Sequence, residues 1–485
     1  MTDIDKDFVT DLFLDGAFVP AAAGRRFSVD DPATGQRIVE VADADANDFK
    51  TAIDAAEAAW PAWRALTANA RADLLLRWHE GIRGAADQLA RLLSLEQGKP
   101  VPEARAEIIY GNGFVRWFGE EARRMYGEVI PAPRADRRTI VLREPVGIVA
   151  AITPWNFPMA MITRKLAPAL AAGCPVILKP SELTPLSALA LAELARRAGF
   201  PPGVINILPT TDSAAAGEAL LGDPRVRKLS FTGSTAVGKK LMARCADSIK
   251  KVSLELGGNA PFLVFDDADL GRAVDGLMAN KFRNAGQACI AANRVLVAAS
   301  VHDRFIELLT PRVAALKVGR GDQPGVQIGP LISEAARAKV ERLVTGAVAA
   351  GARIVHGGAV MPELGPRYYA PTILTDLDQQ MDLACEEVFG PVVAIQRFTS
   401  EEQGIAMAND TPYGLAAYFY TENHRRIWRV ASALQAGIIG INEAVVSSES
   451  APFGGYKQSG IGREGSRHGL DDYTEIKYLC LGGLA

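Results

Sequence analysis

Apolar residues recur at helical spacing through the Ala-rich segments of residues 47–95, a pattern that predicts helices early in the chain. The texture changes beyond Tyr110. Residues 139–145 (TIVLREP) read as an extended strand flanked by basic residues, and residues 146–152 (VGIVAAI) as a buried strand. From there to Glu255, apolar strands at 176–178 and 204–208 alternate with Ala/Leu-rich helices such as 186–198. That alternation predicts βαβ units and a parallel sheet covered on both faces, the usual frame of a nucleotide-binding domain. A second α/β set follows Gly258, with strands at 262–265, 294–297 and 392–395, and the chain closes on a strand at 475–481. No internal repeat or low-complexity segment interrupts this order, so the pattern predicts one catalytic unit rather than an array.

Composition narrows the class. The 485 residues are 48% apolar and 22% charged, the profile of a soluble globular protein long enough for two or three domains. A formal net charge of −3, without any run of Lys and Arg, argues against nucleic acid as a partner. Residues 1–7 are acidic and lack the basic and apolar regions of an export signal. The most apolar stretch, residues 166–178, carries Pro168 and Pro175 and is too short to cross a bilayer, so the expected location is cytoplasmic. The five cysteines (174, 245, 289, 385, 480) and five histidines (79, 302, 356, 424, 468) are dispersed. That spacing speaks against a disulfide framework, a metal centre and a histidine-based triad.

The sharpest chemistry lies in two Gly-framed segments. Cys289 ends the run FRNAGQAC, and Glu255 sits in LELGG, so a thiol nucleophile and a carboxylate base are available for attack on a carbonyl carbon. Three further loops follow predicted strands. In TPWNFP (153–158), two prolines stiffen a turn whose Asn156 can aim an amide N–H at an oxyanion. Lys179 and Glu182 in KPSE suit ribose hydroxyls, and Gly233 with Ser234 in FTGS suit a pyrophosphate at a helix N-terminus. Read singly, these are also a structural turn, a solvated ion pair and a plain turn, and the FTGS spacing is not the dinucleotide fingerprint.

In order, TPWNFP, LKPSE, FTGS, LELGG, FRNAGQAC, EEVFGPV and PFGG resemble the NAD(P)-dependent aldehyde dehydrogenase superfamily, from about residue 10 to the C-terminus. Residues 160–165 (AMITRK), 281–284 (KFRN) and 465–469 (GSRHG) are similar to its succinate-semialdehyde dehydrogenase branch. The resemblance implies catalysis by Cys289, Glu255 and Asn156 through a thiohemiacetal and a thioester. It assigns Trp155, Lys179 and Glu182 to the adenosine end of the cofactor, Gly217, Gly233 and Ser234 to its pyrophosphate, and Glu387 and Phe389 to the nicotinamide ribose. It also implies that Arg164, Arg283 and Ser447 clamp the distal carboxylate of succinate semialdehyde. Because a carboxylate at Glu182 repels a 2′-phosphate, NAD is the expected cofactor, with NADP as the second.

Two departures stand out: Ile290-Ala291 follow the nucleophile where close relatives often carry a second cysteine, and Ala288 stands where Thr is usual. A redox-switch disulfide is therefore not expected. Ser450 and Ala451 lie in a variable tunnel stretch, which leaves glutarate semialdehyde and an aminoaldehyde as alternative substrates. A non-catalytic structural paralogue is the remaining alternative, and the intact Cys289, Glu255 and Asn156 argue against it. The expected fold is α/β. A Rossmann-like cofactor domain takes 1–125 and 146–255, and an α/β catalytic domain takes 256–440. A small β oligomerisation element takes 126–145 and 463–485, and residues 441–462 return to the active site. Exposed strands of that element predict a homodimer or homotetramer.

Overall fold

The computed structural model describes residues 8–484. The acidic stretch 1–7, on which the expectation of no export signal rests, lies outside the described residues. Four short strands come first (Leu12–Leu14, Ala17–Val19, Arg26–Asp30 and Arg37–Ala42), ahead of the helices Ala46–Ala65, Ala68–Gly84 and Ala86–Gln97. The strands escape pattern reading because three to six residues hold too few alternations to stand out. Asp45 starts the first helix by accepting from Asn47 N and Asp48 N, and the Asp48 side chain returns the bond to Asp45 N.

Eight strands form the first sheet, in the order Gly460–Ile461, Lys251–Glu255, Val226–Thr232, Ile148–Ile152, Val176–Lys179, Ile205–Ile207, Leu12–Leu14, Ala17–Val19. Its five central strands are parallel and buried, with the helices Ala160–Ala172 and Pro185–Ala198 among their crossovers. This is a doubly wound, Rossmann-like arrangement. The second sheet has seven strands, in the order Arg353–His356, Thr372–Thr375, Val392–Phe398, Ala292–Ala298, Ala260–Val264, Ala416–Tyr420, Ile438–Ile441. Each expected strand of this set is present with shifted ends: Ala260–Val264 begins two residues early and stops before Phe265, while Ala292–Ala298 and Val392–Phe398 run beyond their apolar runs. Ladder hydrogen bonds continue past the residues whose side chains mark the pattern.

Antiparallel pairing joins Thr474–Leu481 to Arg138–Pro145, and Arg138–Pro145 to Glu128–Ile130, in a separate three-stranded sheet. Val129, Ile476, Tyr478 and Leu481 are exposed on it. Among the described residues no helix is long and apolar enough to cross a membrane.

Candidate active site

Through the centre of the first sheet the chain order of strands is third, second, first, fourth, fifth, so the connections diverge between Ile148–Ile152 and Val226–Thr232. A crevice opens at the C-terminal ends of strands at such a switch point. Pro154, Trp155 and Asn156 leave one strand, and Thr232, Gly233 and Ser234 end the other. Together with Leu256, Gly257, Cys289, Lys339, Glu387 and Phe389 they line a cavity of about 300 Å³. Two larger surface grooves exist, but neither is lined by Cys289 or Asn156.

Cys289 is presented by a contorted loop. After the helix Leu270–Lys281, Asn284 and Ala285 both take φ of +53°, a left-handed conformation that costs an L-residue about 1 kcal/mol or more. Gly286 follows at φ +76°, where any side chain would run into the Gly390 carbonyl oxygen. The contortion is held from outside: Glu103 accepts from Asn284 N at 2.7 Å, and Tyr418 Oη donates to Ile290 O at 2.8 Å. Gly258 packs so closely on the Cys289 carbonyl that a Cβ would overlap it. Burial pushes the Cys289 thiol up to about 12; Glu387 and Glu255 add to this, while Arg164 and Arg283 oppose it.

Glu255 ends its strand opposite Thr232, and its carbonyl accepts from Gly233 N at 3.0 Å. On its other side Gly460 pairs with it, so residues of the 441–462 segment reach the site. The carboxylate is buried, its Oε2 has no hydrogen-bond partner, and burial followed by repulsion from Glu464 holds it well above the usual carboxylate range. Glu464 is itself buried. Although burial favours its neutral form, Lys165 and Arg164 keep it below the usual range, with Arg164 Nη2 at 2.8 Å and Lys165 Nζ donating to Oε1.

Asn156 is buried, and its Nδ2 donates to Gln287 O at 3.1 Å, which commits one of two amide hydrogens and leaves one for a ligand. Trp155 and Phe389 meet edge to face across the cavity, ring centres 5.5 Å apart. Gly258 N donates to a Glu387 carboxylate oxygen at 3.1 Å; burial pushes this carboxyl up to about 7, opposed by that bond and by Lys339. Ser234 caps the helix Thr235–Cys245 through Val237 N. Gly217 does not join them: it lies inside the helix Ser213–Gly222 and faces Leu241. Lys179 and Glu182 form an ion pair of 2.9 Å at the end of Val176–Lys179, away from the cavity lining.

The expected carboxylate clamp is only partly free. Arg164 is fully buried, paired with Glu464 and stacked 4.0 Å over Phe453, whereas Arg283 stacks 4.8 Å over Phe157 and, among the described residues, faces no carboxylate within ion-pair distance. Close enough to feel both charges is Tyr110, whose buried hydroxyl lies beside Ser447 without reaching a well-formed hydrogen bond. Sequence reasoning missed Tyr110 and Glu464. Each sits in a segment with no local motif chemistry, and only the fold brings them to the arginines.

Whether this site fits a dinucleotide can be tested on its own atoms. Thr232 Oγ1, on the cavity wall, is buried without a partner, and the helix beginning at Thr235 points its N-terminus at the same space. An anionic ligand with hydroxyls satisfies both.

Comparison with known proteins agrees with this geometry. The sequence model described as "Aldehyde dehydrogenase family" matches residues 18–479. The chain is 54% identical to succinate-semialdehyde dehydrogenase [NADP(+)] of Escherichia coli over 469 residues, 97% of each chain. It is 52% identical to a glutarate-semialdehyde dehydrogenase of Pseudomonas aeruginosa over 479 residues, 99% of each. A crystal structure of an E. coli NADP dependent enzyme superposes with a TM-score of 0.97 at 53% identity, covering 98% of both chains. These relatives overturn the expectation that NAD is preferred. The physical reason lies at Glu182: its carboxylate is neutralised by Lys179 at 2.9 Å, so it is not the isolated negative charge the expectation required.

Proposed function

Because the chain belongs to the aldehyde dehydrogenase family, we propose that it oxidises an aldehyde bearing a distal carboxylate, succinate semialdehyde foremost, to the acid with NADP. The observation that carries this reading is the confluence of Cys289 and Asn156 on one cavity wall with the buried Glu255 carboxylate, whose Oε2 has no hydrogen-bond partner, close enough to act on the Cys289 thiol. Once its thiol proton has passed to solvent water, the Cys289 thiolate Sγ attacks the carbonyl carbon, and the oxyanion that forms accepts from the free Asn156 amide N–H and the Cys289 backbone N–H. When bound, the nicotinamide supplies the hydride acceptor, which Trp155, Glu387, Phe389, Gly233 and Ser234 would hold. Loss of hydride leaves Cys289 as a thioester. Glu255 then takes a proton from a water molecule that attacks the acyl carbon, and the C–S bond breaks to return the thiol and release the acid.

Substrate choice follows from the Arg283 guanidinium, which stacks on Phe157, and from the buried, unpartnered Tyr110 Oη and Arg164 Nε, with Ser447 beside Tyr110. A carboxylate end group meets those donors, and burying it without them would cost several kcal/mol, roughly. One carbon more is the second reading, favoured by the glutarate-semialdehyde relative at 52% identity.

We further infer the division into domains at 1–125 with 146–255, 256–440, and 126–145 with 463–485, with the last as the oligomerisation element. Its exposed Val129, Ile476 and Tyr478 support a homodimer or homotetramer. All five cysteines are unpaired, which suits a reducing, cytoplasmic setting for a catalytic thiol. The test is kcat/KM for succinate semialdehyde, glutarate semialdehyde and butanal with each dinucleotide, in the wild type and in Arg283→Ala. A carboxylated substrate with NADP is expected to lead butanal by more than about tenfold, or 1.4 kcal/mol, and Arg283→Ala to erase that lead. A lead for butanal in the wild type overturns the substrate reading.

A further inference from the structure

We propose that a buried ion pair outside the reacting centre, Lys99 with Glu107, positions the oxyanion donor Asn156; this inference rests on the role given to Asn156 above. Lys99 follows Gly98, which ends the helix Ala86–Gln97 in a left-handed turn, and Glu107 lies two turns into the helix Val101–Glu121. Both side chains are about 1% exposed and meet at 2.5 Å. Neither touches the cavity.

What the pair grips is the segment that carries Asn156. Lys99 Nζ donates to the Asn156 carbonyl at 2.8 Å and lies 3.9 Å over the Phe157 ring. The other Glu107 oxygen accepts from Met159 N at 2.9 Å and Ala160 N at 3.2 Å, where the helix Ala160–Ala172 begins. Residues 156–160 are therefore pinned at both ends by one ion pair. One turn earlier on the same helix, Glu103 holds Asn284 N, and Asn284 Nδ2 donates back to the Asn156 carbonyl at 2.9 Å. One helix thus references the donor loop and the nucleophile loop to each other.

A buried ion pair is seldom retained for stability alone, since an apolar replacement of both partners is often neutral. Here each charge has a second contact on the backbone of the loop, and that arrangement sets position. A displacement of about 1 Å in a donor costs roughly 10²-fold in rate.

The experiment is a mutant cycle in the full chain. Lys99→Met with Glu107→Gln removes both charges together, so that neither is stranded, and is compared with Asn156→Ala and with all three substitutions combined. The expected result is a kcat reduced roughly 10-fold to 100-fold by the pair substitution, with KM for aldehyde changed less than about threefold. In the Asn156→Ala background the same pair substitution is expected to cost less than about threefold. Near-ultraviolet circular dichroism gives the folded fraction to which every rate is normalised. Lys99→Arg, which keeps the charge, is expected to recover part of the rate. Equal fold-losses in both backgrounds, or no loss in the first, overturn the inference while leaving Asn156 in its role. A wild-type rate for Asn156→Ala overturns both.

Discussion

At Cys289 and Glu255 the same environment acts on two acids. Burial pushes the thiol up to about 12 and holds the Glu255 carboxyl well above its usual range, so at acid pH both groups are protonated and idle. The sign for turnover follows: as pH rises through the elevated Glu255 range the carboxylate gains the capacity to take a proton from water, and thioester hydrolysis accelerates. In a rapid-mixing experiment, the steady rate after the first turnover is expected to climb with pH in the wild type. In Glu255→Gln that climb should vanish while the first turnover persists; an unchanged pH profile in the variant would remove Glu255 as the base. Both residues were visible in the sequence because Gly-containing local segments frame them. Arg164 was visible too, but its partner Glu464 lies 300 positions away, and no local pattern encodes that a clamp residue is already paired.

Among the elements, helix termini carry much of the placement. Glu96, near the end of Ala86–Gln97, accepts from Leu186 N and Ser187 N at 2.8 Å each and so caps the helix Pro185–Ala198 from 90 positions away. Glu96→Ala leaves two buried N–H groups without acceptors, and the expected loss is about 2–4 kcal/mol, read as a lower urea midpoint at unchanged slope. Burial raises the folded-state Glu96 to about 7 from 4.5, so the folded protein holds this proton longer than the unfolded chain. That stabilisation is complete below pH 4.5 and is lost as pH rises through about 7, a slope the variant should lack. Helices were legible because their apolar periods are long, and the central strands because burial on both faces makes them continuous apolar runs. The N-terminal strands and the left-handed turn at Asn284 and Ala285 were not, since the latter is imposed by Glu103, Gly286 and the second sheet rather than by propensity.

For the whole molecule, the candidate active site lies where the C-terminal ends of strands in one sheet meet the strand-entry ends of the other, joined by residues 256–259. The three-stranded sheet stands apart, with Ile476 69% and Tyr478 61% exposed. Replacing Ile476→Glu and Tyr478→Lys together is expected to lower the mass measured by light scattering to that of one chain without unfolding it; an unchanged mass would place the interface elsewhere. By itself the sequence determined the alternation of strands and helices and singled out Cys289, Glu255 and the Asn156 loop as the candidates for the proposed chemistry, because each is written in contiguous residues whose spacing obeys backbone geometry. Only the tertiary structure decided the pairing of Arg164 with Glu464, the exclusion of Gly217 from the cavity and the grip of Lys99 and Glu107 on Asn156. Those contacts depend on burial and on which distant segments the two sheets bring within a few ångströms, and neither quantity is local to the chain.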